Sequence, residues 1–316
     1  MTTSASGPRT ATFLLRQPRQ VQGFHEPLAE GLALPLLWIP PGRFWMGSPE
    51  SEAGRRADES PQHLVQLTGF FQGQTPITQA QWRAVAQWEP REGERWGKAL
   101  SPNPSFFQQQ RETSKQNGPL RKVADALVDR ERSSATPTTE DDRRPVETVS
   151  WHDAMEFCSR LRQRTDRHYT LSSEAQWEYA CRGGTTTPFA FGETITPELA
   201  NYDCNYTYGQ GGKGEYREQT TPVGMFPANA WGLQDMHGNV GEWCLDHWHE
   251  SYEGAPEDGS AWLSEGEERR LVRGGSWFDD PRNCRSATRF QFHPGNAIDG
   301  IGFRVVCLPQ GPSLNP

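Results

Sequence analysis

In LQDMHGNVGEWC, Asp235 and Glu242 flank a Gly-Asn turn, and the carbonyls of Gly238 and Val240 could join the two carboxylates around a hard cation. Calcium suits such a set, because it takes about six to eight oxygens and accepts backbone carbonyls readily. The same spacing serves a solvated turn with two unrelated acids. Other groups carry less. Asp246, His247, His249 and Glu250 in LDHWHESYE are of metal-ligand type, but no third ligand is fixed by their spacing. GQGGKG, Gly209 to Gly214, has the glycines of a phosphate loop without a Ser or Thr after its lysine or a helix pattern beyond it, so it reads as a flexible hairpin. GGSW is no nucleophile elbow, which needs Gly-x-Ser-x-Gly between strand and helix. The six cysteines, Cys158, Cys181, Cys204, Cys244, Cys284 and Cys307, lack CxxC spacing and read as separate buried thiols rather than a zinc site.

The run from Arg270 to Cys307 has a different chemistry. Two framework strings, VRGGSW and IGFRVV, bracket a stretch with neither helical nor strand periodicity, in which Phe278, Asp279, Asp280, Arg282, Phe290, Gln291, Phe292 and His293 mix aromatic, acidic and basic side chains. Large aromatics give contact area at low entropy cost and charged neighbours add direction, which is the chemistry of a recognition surface. An ordinary long surface loop has the same composition.

The elements that must hold these residues are short. LPLLWIPPGRFWMGS, Leu34 to Ser48, reads as a strand, a Pro-Pro-Gly turn and a return strand, and His63 to Phe71 as another strand. Thr78 with Gln81 starts a helix running to about Trp88, and Ser173 with Gln176 starts one ending near Gly183. Between them Ser150 caps a helix whose Ala154, Phe157, Cys158 and Leu161 follow amphipathic spacing. Few helices among many strands and turns predict an irregular α+β domain. Residues 1–31 read as an N-terminal extension of the domain at 32–310. Residues 108–142 are polar, charge-mixed and nearly free of aromatics, which predicts a disordered insertion with one helix at Leu120 to Val128.

Composition sets the class. Of 316 residues 34% are hydrophobic, 31 are Gly and 25 Pro, and the mean hydropathy is -0.80, so the chain is polar and loop-rich, while its 12 Trp point to an aromatic core. A net charge of -8 argues against nucleic acid, which needs a basic face. The N-terminus has no apolar run of signal-peptide length and no segment approaches the about 18 apolar residues of a membrane span, which predicts a cytoplasmic protein. Without a heptad or long apolar helix the expected state is a monomer.

FWMGS, PITQAQW, RPVETVSWHDAMEFC, LSSEAQWEYACRGG, GLQDMHGNVGEWC, LVRGGSW and IGFRVV occur in this order, and together they resemble the sulfatase-modifying-factor, or formylglycine-generating-enzyme, family over Leu34 to Cys307 apart from the insertion. The resemblance implies a single domain of low regular-structure content, a variant of the C-type lectin fold. It also implies structural calcium at Asp235, Gly238, Val240 and Glu242, with a second site near Asn201, Tyr202 and Glu215. Catalysis in the family needs two cysteines after GGS that bind copper(I) and activate oxygen for oxidation of a substrate cysteine. Cys284 falls where the second belongs, but Asp279 stands where the first should be. Soft thiolates suit copper(I) and a carboxylate substitutes poorly, so neither copper nor catalysis is expected.

The same segment also resembles the variable region of proteins diversified by retroelements, in which a C-type lectin-like domain keeps a fixed framework while adenine-templated mutagenesis rewrites surface positions. That likeness puts the framework at Arg273 to Trp277, Pro281, Cys284 to Ala287, Arg289, Pro294 and Ile301 to Arg304. It makes Phe278, Asp279, Asp280, Arg282, Thr288, Phe290, Gln291, Phe292, His293, Gly295, Ala297, Ile298, Asp299 and Gly300 the variable, ligand-binding positions within 270–307. Phe278, Phe290 and Phe292 would anchor a variable macromolecular ligand, expected to be a protein, and Asp279, Asp280, Arg282 and His293 would select its polarity. On this reading the chain is a non-catalytic binding protein; the alternatives are a copper-dependent oxidase acting on a cysteine and an unvaried adaptor on the same fold.

Overall fold

The longer helices begin at hydroxyl residues able to close a first turn. In this computed structural model, which describes residues 20–108 and 139–309, α1 (Gln79–Ala86), α3 (Trp151–Thr165) and α4 (Glu174–Arg182) carry capping boxes at Thr78, Ser150 and Ser173. Gly183 ends α4 in the left-handed region, where only glycine is free of a Cβ penalty. On α3, Ala154, Phe157, Cys158 and Leu161 are all buried, as their spacing predicts. The single turn α2 (Thr139–Asp142) is tied in by an Arg83–Asp142 ion pair of 2.7 Å, so this end of the expected insertion is structured. The helix expected at 120–128 lies outside the described residues.

The strands form three sheets. β1 (Gly23–Ala29), β2 (Leu32–Ile39), β5 (Phe70–Gly73), β11 (Val305–Leu308) and β6 (His168–Leu171) make an antiparallel sheet in that spatial order. β10 (Ile301–Gly302), β7 (Gly241–His247), β8 (Arg270–Arg273) and β9 (Arg289–Phe292) make a second, in which β10 runs parallel to β7. β3 (Gly42–Met46) and β4 (His63–Leu67) form a separate ribbon.

Three expectations change. The Pro-Pro-Gly turn does not close a hairpin, because β2 pairs with β1 and β5 while β3 pairs with β4. The run from His63 to Phe71 is two strands, β4 and β5, in different sheets. The domain begins before residue 32, since β1 is the edge strand of the five-stranded sheet.

The core is partly aromatic, as the tryptophans suggest. Trp82 stacks on Phe157 with centroids 5.6 Å apart, and Phe303 meets both rings edge-on. Leucines and valines of β2, α3 and β11 fill the space around them. Mixed sheets, few helices and one continuous domain are the α+β arrangement expected of the C-type lectin class. Among the described residues no helix is long and apolar enough to cross a membrane. The segment from β8 to β11 starts in an inner strand of one sheet and ends in an inner strand of another, so both ends of the candidate surface are fixed.

Candidate ligand-binding surface

After β8 the chain turns through Gly274 and Gly275, with φ of 99° and 70°. A Cβ on Gly275 would lie 2.8 Å from the Asn283 carbonyl oxygen and the Cys284 sulfur, so this turn admits no side chain. The Ser276 N–H and hydroxyl both donate to Asp279 Oδ2, at 2.9 and 2.7 Å. Asp280 then caps a short 3-10 turn, Pro281–Cys284, by accepting the Arg282 N–H at 2.9 Å. Beyond β9, the Pro294 and Ile298 carbonyls accept N–H bonds from Trp151 and Thr148, both at 3.0 Å.

Four arginines hold this frame from beneath. Arg273 pairs with Glu178 and lies 3.4 Å from Glu174. Arg285 meets Glu59 at 2.6 Å and Glu52 at 2.5 Å, Arg289 meets Glu174 at 2.7 Å, and Arg304 meets Glu242 at 2.7 Å. All four are buried. Burial pushes the Glu59 carboxyl up and Arg285 more than reverses it, leaving its pKa below the ordinary value; Arg289 and Arg273 do the same for Glu174. At Glu52 burial outweighs Arg285 and the pKa is raised. Nothing in the sequence marked these pairs, because each acid lies far along the chain from its arginine.

Burial divides the segment. Every framework position, from Arg273 to Trp277 and on to Arg304, is buried. Of the proposed ligand positions, Phe278, Arg282, His293, Gly295 and Ala297 are exposed, and Asp279, Asp280, Phe290, Gln291, Phe292, Ile298 and Asp299 are half-buried. Thr288 and Gly300 are buried and leave the ligand set. The Thr288 hydroxyl donates to the Arg282 carbonyl at 3.0 Å, and a Cβ on Gly300 would come within 2.3 Å of the Phe278 ring. Asp279 is a turn carboxylate engaged by Ser276 rather than a free polarity selector. Phe290, Phe292 and Ile298 pack against the core, and Phe292 meets Trp243 edge-on at 6.3 Å, so the two phenylalanines are in part structural.

Residues outside the segment complete the face. Phe278, 40% exposed, meets Trp277 edge-on at 5.1 Å, and Trp277 meets Phe107 edge-on at 5.3 Å. Tyr216 lies nearly parallel to Trp277 at 6.3 Å, and Phe106 is exposed beside Phe107. The Asp203 N–H donates to the Asp279 carbonyl at 2.8 Å, which brings the loop carrying exposed Tyr206 alongside. Arg56 sits over the Phe290 ring at 5.2 Å and donates to Asn283 Oδ1 at 2.8 Å, joining β9 to the 3-10 turn. Sequence reasoning missed these residues; the adjacent Phe106 and Phe107 are a signal that could have marked them, but their nearness to Trp277 is a property of the fold.

The metal sets fare differently from their spacing. Glu242 offers both oxygens to Arg304 at 2.7 Å and one to Trp177 Nε1 at 2.8 Å. Asp235 accepts the Gly224 N–H at 2.7 Å through one oxygen, while the other is buried without a partner. With the Arg304 guanidinium seated on Glu242, the carboxylate oxygen of this set left without a partner is that of Asp235. Of the second group, Asn201 and Tyr202 are buried and Glu215 is exposed. His249 stacks on Trp262 at 3.6 Å and His247 Nδ1 accepts the Ser264 N–H. No group of three or more His, Cys, Asp or Glu among the described residues is placed to hold a metal. In the GGS segment Asp279 is engaged by Ser276, and burial pushes the Cys284 thiol pKa well above its ordinary value.

Known proteins agree with this architecture. PvdO from Pseudomonas aeruginosa is 30% identical, with a TM-score of 0.68 over 91% of this chain and 98% of that one. Treponema denticola variable protein 1 shares the fold at 21% identity, with a TM-score of 0.65 over 91% of this chain and 99% of that one. The formylglycine-generating enzyme of Mus musculus is 34% identical over 177 residues, 51% of this chain and 44% of that protein. The chain spans less than half the length of the first curated relatives it matches. Residues 28–308 match the sulfatase-modifying factor enzyme 1-like domain, and the chain belongs to that family.

Proposed function

We propose that the protein is a non-catalytic ligand-binding protein whose surface between β8 and β11 is diversified by a retroelement and binds variable protein ligands. The observation that carries this reading is the division of burial along 273–304: all framework positions are inside, and all but two of the positions proposed to vary reach the surface. A packed interior would not accept a spread of residues from Gly to Phe to Asp, whereas an exposed face on a rigid frame does. The frame also limits the ordering cost of binding. The likeness of fold to a protein named a variable protein is consistent with it.

The test randomises the exposed positions Phe278, Arg282, His293, Gly295 and Ala297 together. Most library members should keep the parent's melting temperature and different members should select different protein ligands. A library that largely fails to fold would sink the proposal. The family's oxidase chemistry is the second reading, favoured by the relatives that carry it and by Cys284 at the second cysteine position. Stoichiometric copper(I) binding with oxygen-dependent oxidation of a cysteine peptide would establish it in place of the first.

A further inference from the structure

Glu147 is fully buried behind the aromatic end of the surface, and no arginine, lysine or histidine pairs with it among the described residues. Its Oε1 accepts the Phe107 N–H at 3.2 Å, and its Oε2 meets the Thr148 hydroxyl at 2.5 Å. Its own N–H donates to Ser105 Oγ at 3.3 Å. Thr148 has φ of 58°, a costly left-handed conformation for a β-branched residue, and its N–H donates to the Ile298 carbonyl at 3.0 Å. Trp277 Nε1 donates to the Asp299 carbonyl at 3.0 Å. One carboxyl group therefore sits where the Phe106–Gln108 turn, Thr148 and the 298–300 loop meet.

We propose that protonated Glu147 is a positioning residue of the ligand surface, locking the Phe106–Gln108 turn to the 298–300 loop, and that its ionisation releases the lock. The proposal rests on reading this face as the ligand surface. A neutral carboxyl can donate or accept in its contact with Thr148, whereas an ionised one can only accept and is costly in a buried place without a cation. Burial dominates its titration; the Thr148 hydroxyl and the Phe106 and Phe107 N–H groups favour the ionised form, and Asp299, a like charge, disfavours it. Burial pushes the Glu147 pKa up to about 8, so release falls in the mildly alkaline range.

Hydrogen exchange on the intact, ligand-free protein, corrected for its intrinsic pH dependence, tests the lock across mildly acidic to alkaline pH. Peptides covering 103–108 and 294–302 should lose about tenfold in protection as pH rises, while a peptide covering α4 stays constant. Glu147→Gln keeps an acceptor for Phe107 and gives Thr148 a partner of fixed protonation, so its protection should be flat. A flat wild-type profile, or the same slope in E147Q, overturns the proposal. As a second readout, a peptide selected from a displayed random library against the wild-type protein should weaken about tenfold over the same range for wild type and not for E147Q. Exchange that responds to pH with no peptide selected would overturn the role in binding and keep the lock, which separates this failure from the other.

Discussion

Arg285 has its guanidinium buried between Glu59 and Glu52 and also donates to the Gly54 carbonyl at 2.9 Å. Such a pair adds little over a well-packed apolar substitute, but removing one partner strands the other's charge. Arg285→Ala should therefore lose about 3–5 kcal/mol of unfolding free energy, measured by urea titration. Replacing Arg285, Glu52 and Glu59 together by apolar residues of similar volume should lose less than the single change. A single-variant loss within the range of surface ion pairs, about 1 kcal/mol or below, would mean that water reaches the site. These arginines stand inside the strings RGGS, CRSATR and GFR, which were legible as framework, yet their charge gave no hint that they are interior. Arginine is rarely fully buried unless paired, and the pairing acids are set by the fold.

Helices were legible as elements because a capping box and an amphipathic stripe are local: Thr78, Ser150 and Ser173 each find their partner three residues on. Strand partners were not, since β11 lies between β5 and β6 and β3 pairs with β4 across the loop that follows β3. β9 shows the cost of that gap. As a loop its two phenylalanines read as free anchors, but as an edge strand beside β8 it turns Phe290 and Phe292 toward the core. Replacing both by Ala should lower unfolding free energy by about 2 kcal/mol or more, by the loss of buried ring contacts. Phe278→Ala, at an exposed ring, should leave stability nearly unchanged and weaken capture of a selected ligand. Equal melting temperatures for the two variants would place Phe290 and Phe292 outside the core.

Buried acids set opposing trends across the molecule. Glu59 and Glu174 have pKa values below their ordinary 4.5 in the folded state, so the stability they contribute is complete above that value and is lost as pH falls through the lowered one. Glu147 and Asp246 are the reverse case, raised by burial to about 8 and about 7, so stability drains away as pH rises from their ordinary values toward the raised ones. The melting temperature should peak in mildly acidic solution and fall on both sides, and a scan from strong acid to mild alkali checks it. A flat profile would mean that these carboxyls titrate as they do in the unfolded chain. One topological feature bears on how the chain tolerates changes in its sequence. β11 is synthesised after every strand it joins, and until it arrives β5 and β6 each lack a neighbour in the middle of a sheet. A premature stop or frameshift within the preceding segment therefore leaves two unpaired edges and an open core, the state that chaperones and proteases recognise. Amino-acid replacements at the exposed positions leave that closing step untouched, so the fold tolerates new side chains there while a broken reading frame leaves it unclosed.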